Sequence, residues 1–361
     1  MDNNKDHLFA PVWSKLGVNI KKEDTIDELL RKTGMDFEVE QGDMYTEFIP
    51  DGYEIERVKD GYKLHGEGDK DGKIIPDKGT LVPGIYSTYR TDTFDVLGVV
   101  GSRYEVIQNR EVMEFFMNII NNLDIPAEDV KLNKAGVLYK GAQLFMTVEL
   151  PSYKIGNDDI AKYLLFVSSH DGSKSISVCF TDIRIHCSNM LNSVISNSTN
   201  KVSIKHTINA RSVLNISENI IHKSTEYSKA IKKELEYYQT ILLNDYDVEY
   251  LTSCLIWKAK QIEYLGSIGY NQKAINTDII STRSFNKYKD IINTIYTGVG
   301  QDGEYVNTLY WWYNGVLCYI NHIMSYKSDE DKFTSIIDGP SNKFGQKAYE
   351  LCLKYCNFNV K

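Results

Sequence analysis

Proline, cysteine and long apolar runs are all scarce in this chain, which carries seven prolines and six cysteines in 361 residues. Cysteines spread thinly from Cys179 to Cys356 do not make the dense disulfide framework of a small secreted domain, so free and mostly buried thiols are expected. No apolar run approaches the roughly 18 residues that a bilayer span needs, and the opening Met-Asp-Asn-Asn-Lys-Asp has neither the basic nor the apolar region of a signal peptide. A protein of the bacterial cytoplasm with no membrane partner is the expectation. Little proline beside much Asn, Ile, Lys and Tyr points to an A/T-rich coding sequence.

Familiar motifs are missing too. There is no G-x-x-x-x-G-K-[ST] phosphate loop, and Gly298-Val-Gly300 reads as a short glycine pair in a helical region, so ATP-driven chemistry and a nucleotide cofactor are not expected. Helix-turn-helix, zinc-finger and basic-zipper patterns are absent, which argues against sequence-specific reading of duplex DNA. The acidic, glycine-rich stretch Gly66–Gly72 lacks the ligand spacing and terminal glutamate of a calcium loop.

What is present is an ordinary globular composition, 42% hydrophobic and 25% charged, with an uneven distribution of charge. The net charge is −8 over residues 1–100, −4 over 101–130, +6 over 131–235 and −2 over 236–361. A basic centre between acidic flanks is the one-dimensional signature of a confined anion-binding groove, and equally of charge segregated on solvated faces.

Periodicity predicts an α+β chain, β-rich in its N-terminal half with a mixed β-α-β-β-β sheet unit and helical in its C-terminal half, with expected divisions at 1–95, 96–208 and 209–361. Thr25-Ile-Asp-Glu28 is a capping box opening a helix that ends at Gly34. Strands are expected at 37–40, 45–49, 53–58, 62–64, 97–108, within 136–150, and at 202–206, with helices at 110–122 and 188–196. The sheet needs helices on one face and can leave the other open. Tyr163–Ile185 reads as a hairpin turning at His170-Asp171-Gly172-Ser173, since Asp-Gly between β-branched runs suits a tight turn. Asn209 to about Leu243 shows three- and four-residue apolar spacing, a rod of roughly 50 Å at 1.5 Å per residue. That length predicts homo-oligomers built partly through this helix. Further helices are expected at 248–265, 286–296, 305–324 and 343–356.

Chemistry-bearing residues collect around the hairpin: His170, Asp171, Arg184, His186, Cys187, Asn189 and His206. Imidazole and thiolate suit zinc, yet the spacing of His170, His186, Cys187 and His206 is neither that of a zinc finger nor of H-E-x-x-H, and no metal is expected. Cys187 with His186 or His206 would make a nucleophile and base, or simple packing. Asp158, Asp159, Asp171 and Asp182 are carboxylates at strand ends without the pattern of a magnesium nuclease. Cys352 and Cys356, one turn apart, read as core packing. Arg184, with five donors in a planar fork, should pair with Asp171 or Asp182, or with a bound phosphate.

A family resemblance rests on motifs in a shared order: Trp13-x-x-Leu-Gly, Tyr104-Glu-Val-Ile-Gln-Asn109, Ala135-Gly136 with Lys140-Gly141, Ser169-His-Asp-Gly-Ser173, Ile183-Arg-Ile-x-Cys-x-Asn189, Lys205-His-Thr207, Asn307-Thr308, Asn314-Gly-Val-x-x-Tyr-x-x-His322 and Phe344-Gly-x-x-x-Ala348. In these the chain resembles the phage- and plasmid-encoded family known as domain of unknown function 932. It departs from that pattern at Tyr310, Cys318 and Asn321, where the family usually has tryptophan, an acidic residue and aspartate. The resemblance implies a mobile-element context and little mechanism.

Basic and aromatic residues interleave through the middle of the chain, and Lys140, Lys174, Arg184, Lys205 and Arg211 are the candidates for contacts to a nucleic-acid backbone. The expected function is single-stranded DNA binding with ATP-independent annealing or recombination, an architecture similar to phage single-strand annealing proteins. Two alternatives stand beside it: a host-interaction or anti-defence protein, and a metal-dependent hydrolase centred on His170 and His186.

Overall fold

The computed structural model describes residues 11–46, 54–58, 61–65, 73–76, 79–123, 125–185, 189–191, 201–207 and 222–359. The N-terminal half is built from β-sheets and the C-terminal half mostly from helices, an α+β architecture.

The first elements are β1 (Val18–Asn19) and α1 (Ile26–Thr33), the latter opened by the expected capping box: the Thr25 hydroxyl accepts from the Glu28 amide while the Glu28 carboxylate accepts from the Thr25 amide. Gly34 ends it in the left-handed conformation, φ 73°. Then come β2 (Val39–Thr46), β3 (Glu54–Val58), β4 (Gly61–His65), β5 (Lys73–Pro76), β6 (Thr80–Arg90) and β7 (Val96–Gly101). The Gly66–Gly72 stretch lies outside the described residues. β2-β6-β7 form one antiparallel sheet and β3-β4-β5 another. The strand expected over 97–108 stops at Gly101; residues 102–108 run irregularly into α2 (Asn109–Asn121).

The main sheet follows. Its strands are β8 (Lys131–Leu138), β9 (Gln143–Ile155), β10 (Asp158–Ser169), β11 (Ile176–Arg184), β12 (Asn189–Leu191) and β13 (Lys201–Ile204). They are all antiparallel, in the order β1-β8-β9-β10-β11-β12. The outer side of β11 is shared: β12 pairs with Asp182–Arg184 and β13 with Ile176–Cys179. Asn189–Leu191 is therefore strand where a helix was expected, because these residues complete the ladder at the end of β11; 192–200 lie outside the described residues.

Helices cover both faces of this sheet, not one. Phe166 of β10 packs on Phe116 of α2, ring centroids 4.4 Å apart, while Phe145, on the opposite face, packs on Phe333 of the helical half at 5.1 Å. From Tyr163 to Ser169 every residue of β10 is buried, a run that an open face would not allow.

The helical half comprises α3 (His222–Tyr238), α4 (Asp245–Ile256), α5 (Ala259–Ser267), α6 (Thr282–Thr297), α7 (Leu309–Cys318), α8 (Asp329–Asp338) and α9 (Pro340–Asn359). The long helix expected to reach Leu243 stops at Tyr238. Beyond it the chain turns and bonds to the start of α7, with Leu309 N donating to Ile241 O and Leu243 N to Asn307 O. Ile231, Leu235 and Tyr238 are buried in the protein's own core, so the described part of this helix spends its apolar stripe internally; residues 209–221 lie outside the described residues. A break at Trp257-Lys258 divides the helix expected over 248–265 into α4 and α5. One apolar cluster takes in residues from Trp13 to Cys356, sheet and helices together. Among the described residues no helix is long and apolar enough to cross a membrane.

β7 crosses the hairpin turn closely. A Cβ on Gly98 would lie 2.4 Å from the Asp171 Cα and 2.9 Å from its carbonyl oxygen, both backbone atoms with no room to yield. Gly98→Ala should therefore cost about 1–3 kcal/mol, as overpacking does. Chemical denaturation tests this, and a midpoint equal to wild type would mean that β7 does not hold the turn.

Candidate functional site

The hairpin β10–β11 has two ends, and they carry different chemistry. Between Ile176 and Arg184 lie eight residue steps, roughly 26 Å at about 3.3 Å each. His170 and Asp171 stand at the turn, whereas Arg184 and, opposite it in register, Asn189 stand at the far end. The residues expected to form one cluster are thus divided by the length of the strands. His186, Cys187 and Arg211 lie outside the described residues.

At the turn end, Gly172 takes φ 73° and the Asp171 carboxylate accepts from the Ser173 amide at 2.8 Å. Thr88 Oγ1 donates to the His170 carbonyl at 2.6 Å, and Tyr104 Oη to the Ser169 carbonyl at 2.9 Å. The His170 ring is fully buried against Asn109, Nε2 to Oδ1 2.7 Å. Asn109 Nδ2 donates to the carbonyls of Met35 and Phe37, leaving Oδ1 as an acceptor. That fixes the proton on His170 Nε2 and leaves Nδ1 a bare lone pair with no partner. His206 is stacked on Tyr104, centroids 5.0 Å apart, and neither of its ring nitrogens has a partner. Burial pushes both imidazoles down to about 4, against a weaker pull upward from Asp171. Both rings are neutral at pH 7 and serve packing better than proton transfer.

The basic candidates divide in the same way. Lys140 lies in the β8–β9 connection, its side chain 79% exposed and 3.8 Å from Asp95. Lys174 lies in the β10–β11 turn, 10% exposed and 4.0 Å from Asp338. Lys205 follows Ile204, which pairs with Ile176, and is exposed. These three share the turn end of the sheet. Arg184 is at the other end, and buried.

There the guanidinium grips one carboxylate with both prongs: Nε to Asp158 Oδ2 at 2.7 Å and Nη2 to Oδ1 at 2.9 Å. Its Nη1 donates to the Gly300 carbonyl at 2.9 Å, and Tyr310 Oη donates to Asp158 Oδ2 at 2.8 Å. The expected carboxylate partner exists, but it is Asp158, not Asp171 or Asp182. Asp171 is at the wrong end of the hairpin. Asp182 accepts from Tyr153 Oη at 3.0 Å beside Lys162, its partner in register, and burial pushes it up to about 6.

Above the Arg184–Asp158 pair opens a cleft of about 660 Å³, bounded by Tyr296, the Gly298–Gly303 loop, Glu304 and Tyr305. The loop that follows α6 was read from sequence as an incidental glycine pair; it forms the cleft wall because Arg184 holds its Gly300 carbonyl. Asp158 was partly findable, since counting back from the Asp-Gly turn makes it the diagonal neighbour of Arg184 across the ladder. Tyr310 was not, being over a hundred residues away in the chain. Two segments that carried the family resemblance, around Arg184 and around Asn307–Asn314, meet at this junction. Tyr310, from the second of them, uses its hydroxyl on Asp158. Among the described residues no group of three His, Cys, Asp or Glu is placed to hold a metal ion.

These features define an α+β protein whose sheet is clamped to a helical layer by a buried arginine–carboxylate pair beside an open cleft. The chain belongs to the family described as domain of unknown function 932, whose model matches residues 96–337. No curated protein and no solved structure matches it significantly.

The two ends of the hairpin carry different liabilities. Asp158→Asn leaves a buried guanidinium without its counter-charge and should cost about 3–5 kcal/mol, whereas replacing the pair together, Asp158→Leu with Arg184→Met, should recover most of that. Urea denaturation of the three proteins measures both, and an Asn variant as stable as wild type would show that the pair is dispensable.

The second concerns pH. His170 and His206 have native values near 4 against an ordinary 6.5, so between those values the unfolded chain binds more protons and stability falls as pH falls. Asp182, raised to about 6 from 3.8, acts with the opposite sign between those two values and offsets part of the loss. The net loss from pH 7 to pH 5 should be about 2–3 kcal/mol, and His206→Phe should shrink it. Equal urea midpoints for wild type at the two pH values would contradict this.

Proposed function

We propose that the protein binds single-stranded DNA and promotes annealing or recombination without a nucleotide cofactor, in the cytoplasm of a bacterial host, as a component of a phage or plasmid. The observation that supports this reading is the gathering of Lys140 and Lys205 at one end of the main sheet by strand register, with Lys174 beneath them, mostly buried and paired to Asp338. A polyanionic strand needs such a group of cations on one surface. Phe94, 75% exposed at the β6–β7 hairpin tip, precedes Asp95, which lies 3.8 Å from Lys140, and offers a stacking surface. Arg184 leaves the contact set, because Asp158 and Gly300 already take its guanidinium. Homo-oligomers belong to the same proposal, since annealing brings two strands together.

A second reading, docking to a host protein, draws on the exposed apolar side chains of the same hairpin, Phe94, Val96 and Val99. A hydrolase centred on His170 and His186 gains no comparable support, the His170 ring being fully buried with its Nε2 on Asn109.

Binding of a fluorescent single-stranded oligonucleotide should weaken as salt rises, by roughly 0.7 in log–log slope per phosphate contacted. Lys140→Ala with Lys205→Ala should weaken it by several-fold and flatten that slope by about 1 to 1.5. No detectable binding by wild type at low salt would abandon the DNA reading in favour of the host-protein one.

A further inference from the structure

A second concentration of positive charge lies on the helical half, far in sequence from the basic centre. On α6, Arg283 and Lys287 are four residues apart and so share a face; on α9, Lys343, Lys347 and Lys354 do the same at spacings of four and seven. The two helices meet where Lys287 Nζ sits 3.7 Å above the ring centroid of Phe344. Lys347 is anchored there as well, donating to the Leu255 carbonyl at 2.8 Å in the last turn of α4, where the helix end carries partial negative charge.

These cations lack the counter-charges that the rest of the molecule supplies. Among the described residues none of the five forms an ion pair, although Arg90, Arg110, Lys154 and Arg184 all do. Glu350 lies along the same stripe of α9 and pairs with none of them. The crowding is felt by the amines: Lys287 is pushed below the usual lysine range by burial, then by Lys347 and Arg283, and Lys347 by burial, with Lys354 adding to it. Five cations held together against one unpaired acid raise the energy of the empty surface, and an anion relieves it.

We infer that this α6–α9 stripe is a phosphate-binding surface for a single-stranded nucleic-acid backbone, resting on the DNA reading above and adding a second contact region to it. The stripe's length favours a chain of phosphates over one anion: Lys343 to Lys354 spans roughly 16 Å at 1.5 Å per residue. Phe344 holds Lys287 at its centre through the cation–π contact.

The test uses Arg283→Glu with Lys354→Glu, two exposed residues whose side chains make no hydrogen bond or ion pair among the described residues, and Arg283→Lys with Lys354→Arg as the charge-keeping control. Thermal melts establish that both fold as wild type does. With a single-stranded thymidine oligonucleotide at low salt, the charge-reversed protein should bind about tenfold more weakly, with a salt slope shallower by about 1.4, while the control keeps both values. Inorganic pyrophosphate should raise the melting temperature of wild type and control but not of the reversed protein. A reversed protein that matches wild type with both probes overturns the inference. Loss of the pyrophosphate response in a protein whose wild type binds no oligonucleotide leaves the anion surface standing and overturns its assignment to nucleic acid. If the reversed protein binds oligonucleotide normally while Lys140→Ala with Lys205→Ala does not, the stripe is no contact and the sheet end alone carries the strand.

Discussion

Everything at the junction of sheet and helices depends on the two-pronged contact between Arg184 and Asp158. A guanidinium loses its hydration on burial, and only a carboxylate with matching geometry replaces it fully. Asp158 does so at 2.7 and 2.9 Å, and Nη1 donates to a backbone carbonyl of the loop after α6. A third bond to the carboxylate comes from the Tyr310 hydroxyl on α7. Four separate stretches of chain are thereby fixed by one charge: the start of β10, the end of β11, the glycine loop and the first turn of α7. The same loop is tied to α7 as well, Trp311 Nε1 donating to the Gln301 carbonyl at 2.9 Å.

Local patterns were legible in the sequence wherever one segment decides its own fate. The α1 boundaries followed from Thr25, Glu28 and Gly34, and α2 from the spacing of Val112, Phe115, Phe116 and Ile119, all four buried. The hairpin followed from Asp171-Gly172. What failed was decided at a distance. The long helix was cut at Tyr238 because Ile241 and Leu243 bond to the chain entering α7, a competitor for their backbone groups that no periodicity reveals. β10 carries a continuous apolar run, the mark of burial on both faces, whereas antiparallel pairing by itself is compatible with one open face.

Site residues were read with the same asymmetry. Side chains close in sequence looked like one cluster, but a strand of nine residues carries its ends far apart, and His170 and Arg184 belong to different neighbourhoods. Charge misled in the other direction. Residues 236–361 are net acidic, so the run of unpaired cations on α6 and α9 disappears in any linear count. Helical spacing sorts those cations onto one side of each helix, and only the fold brings the two helices together at Phe344.

The divided outer side of β11 has a consequence for how the protein resists self-association. An unpaired strand edge is a template for another chain, and a single long neighbour would protect it all or not at all. Here two short strands, β12 and β13, each guard a few residues, reached by separate stretches of chain. Fraying of one bares three or four residues, too few to seed a foreign strand, while the other keeps its hold. Amyloid-like pairing along β11 therefore requires both guards to leave together, and the rarity of that coincidence is a kinetic safeguard separate from the stability of the fold.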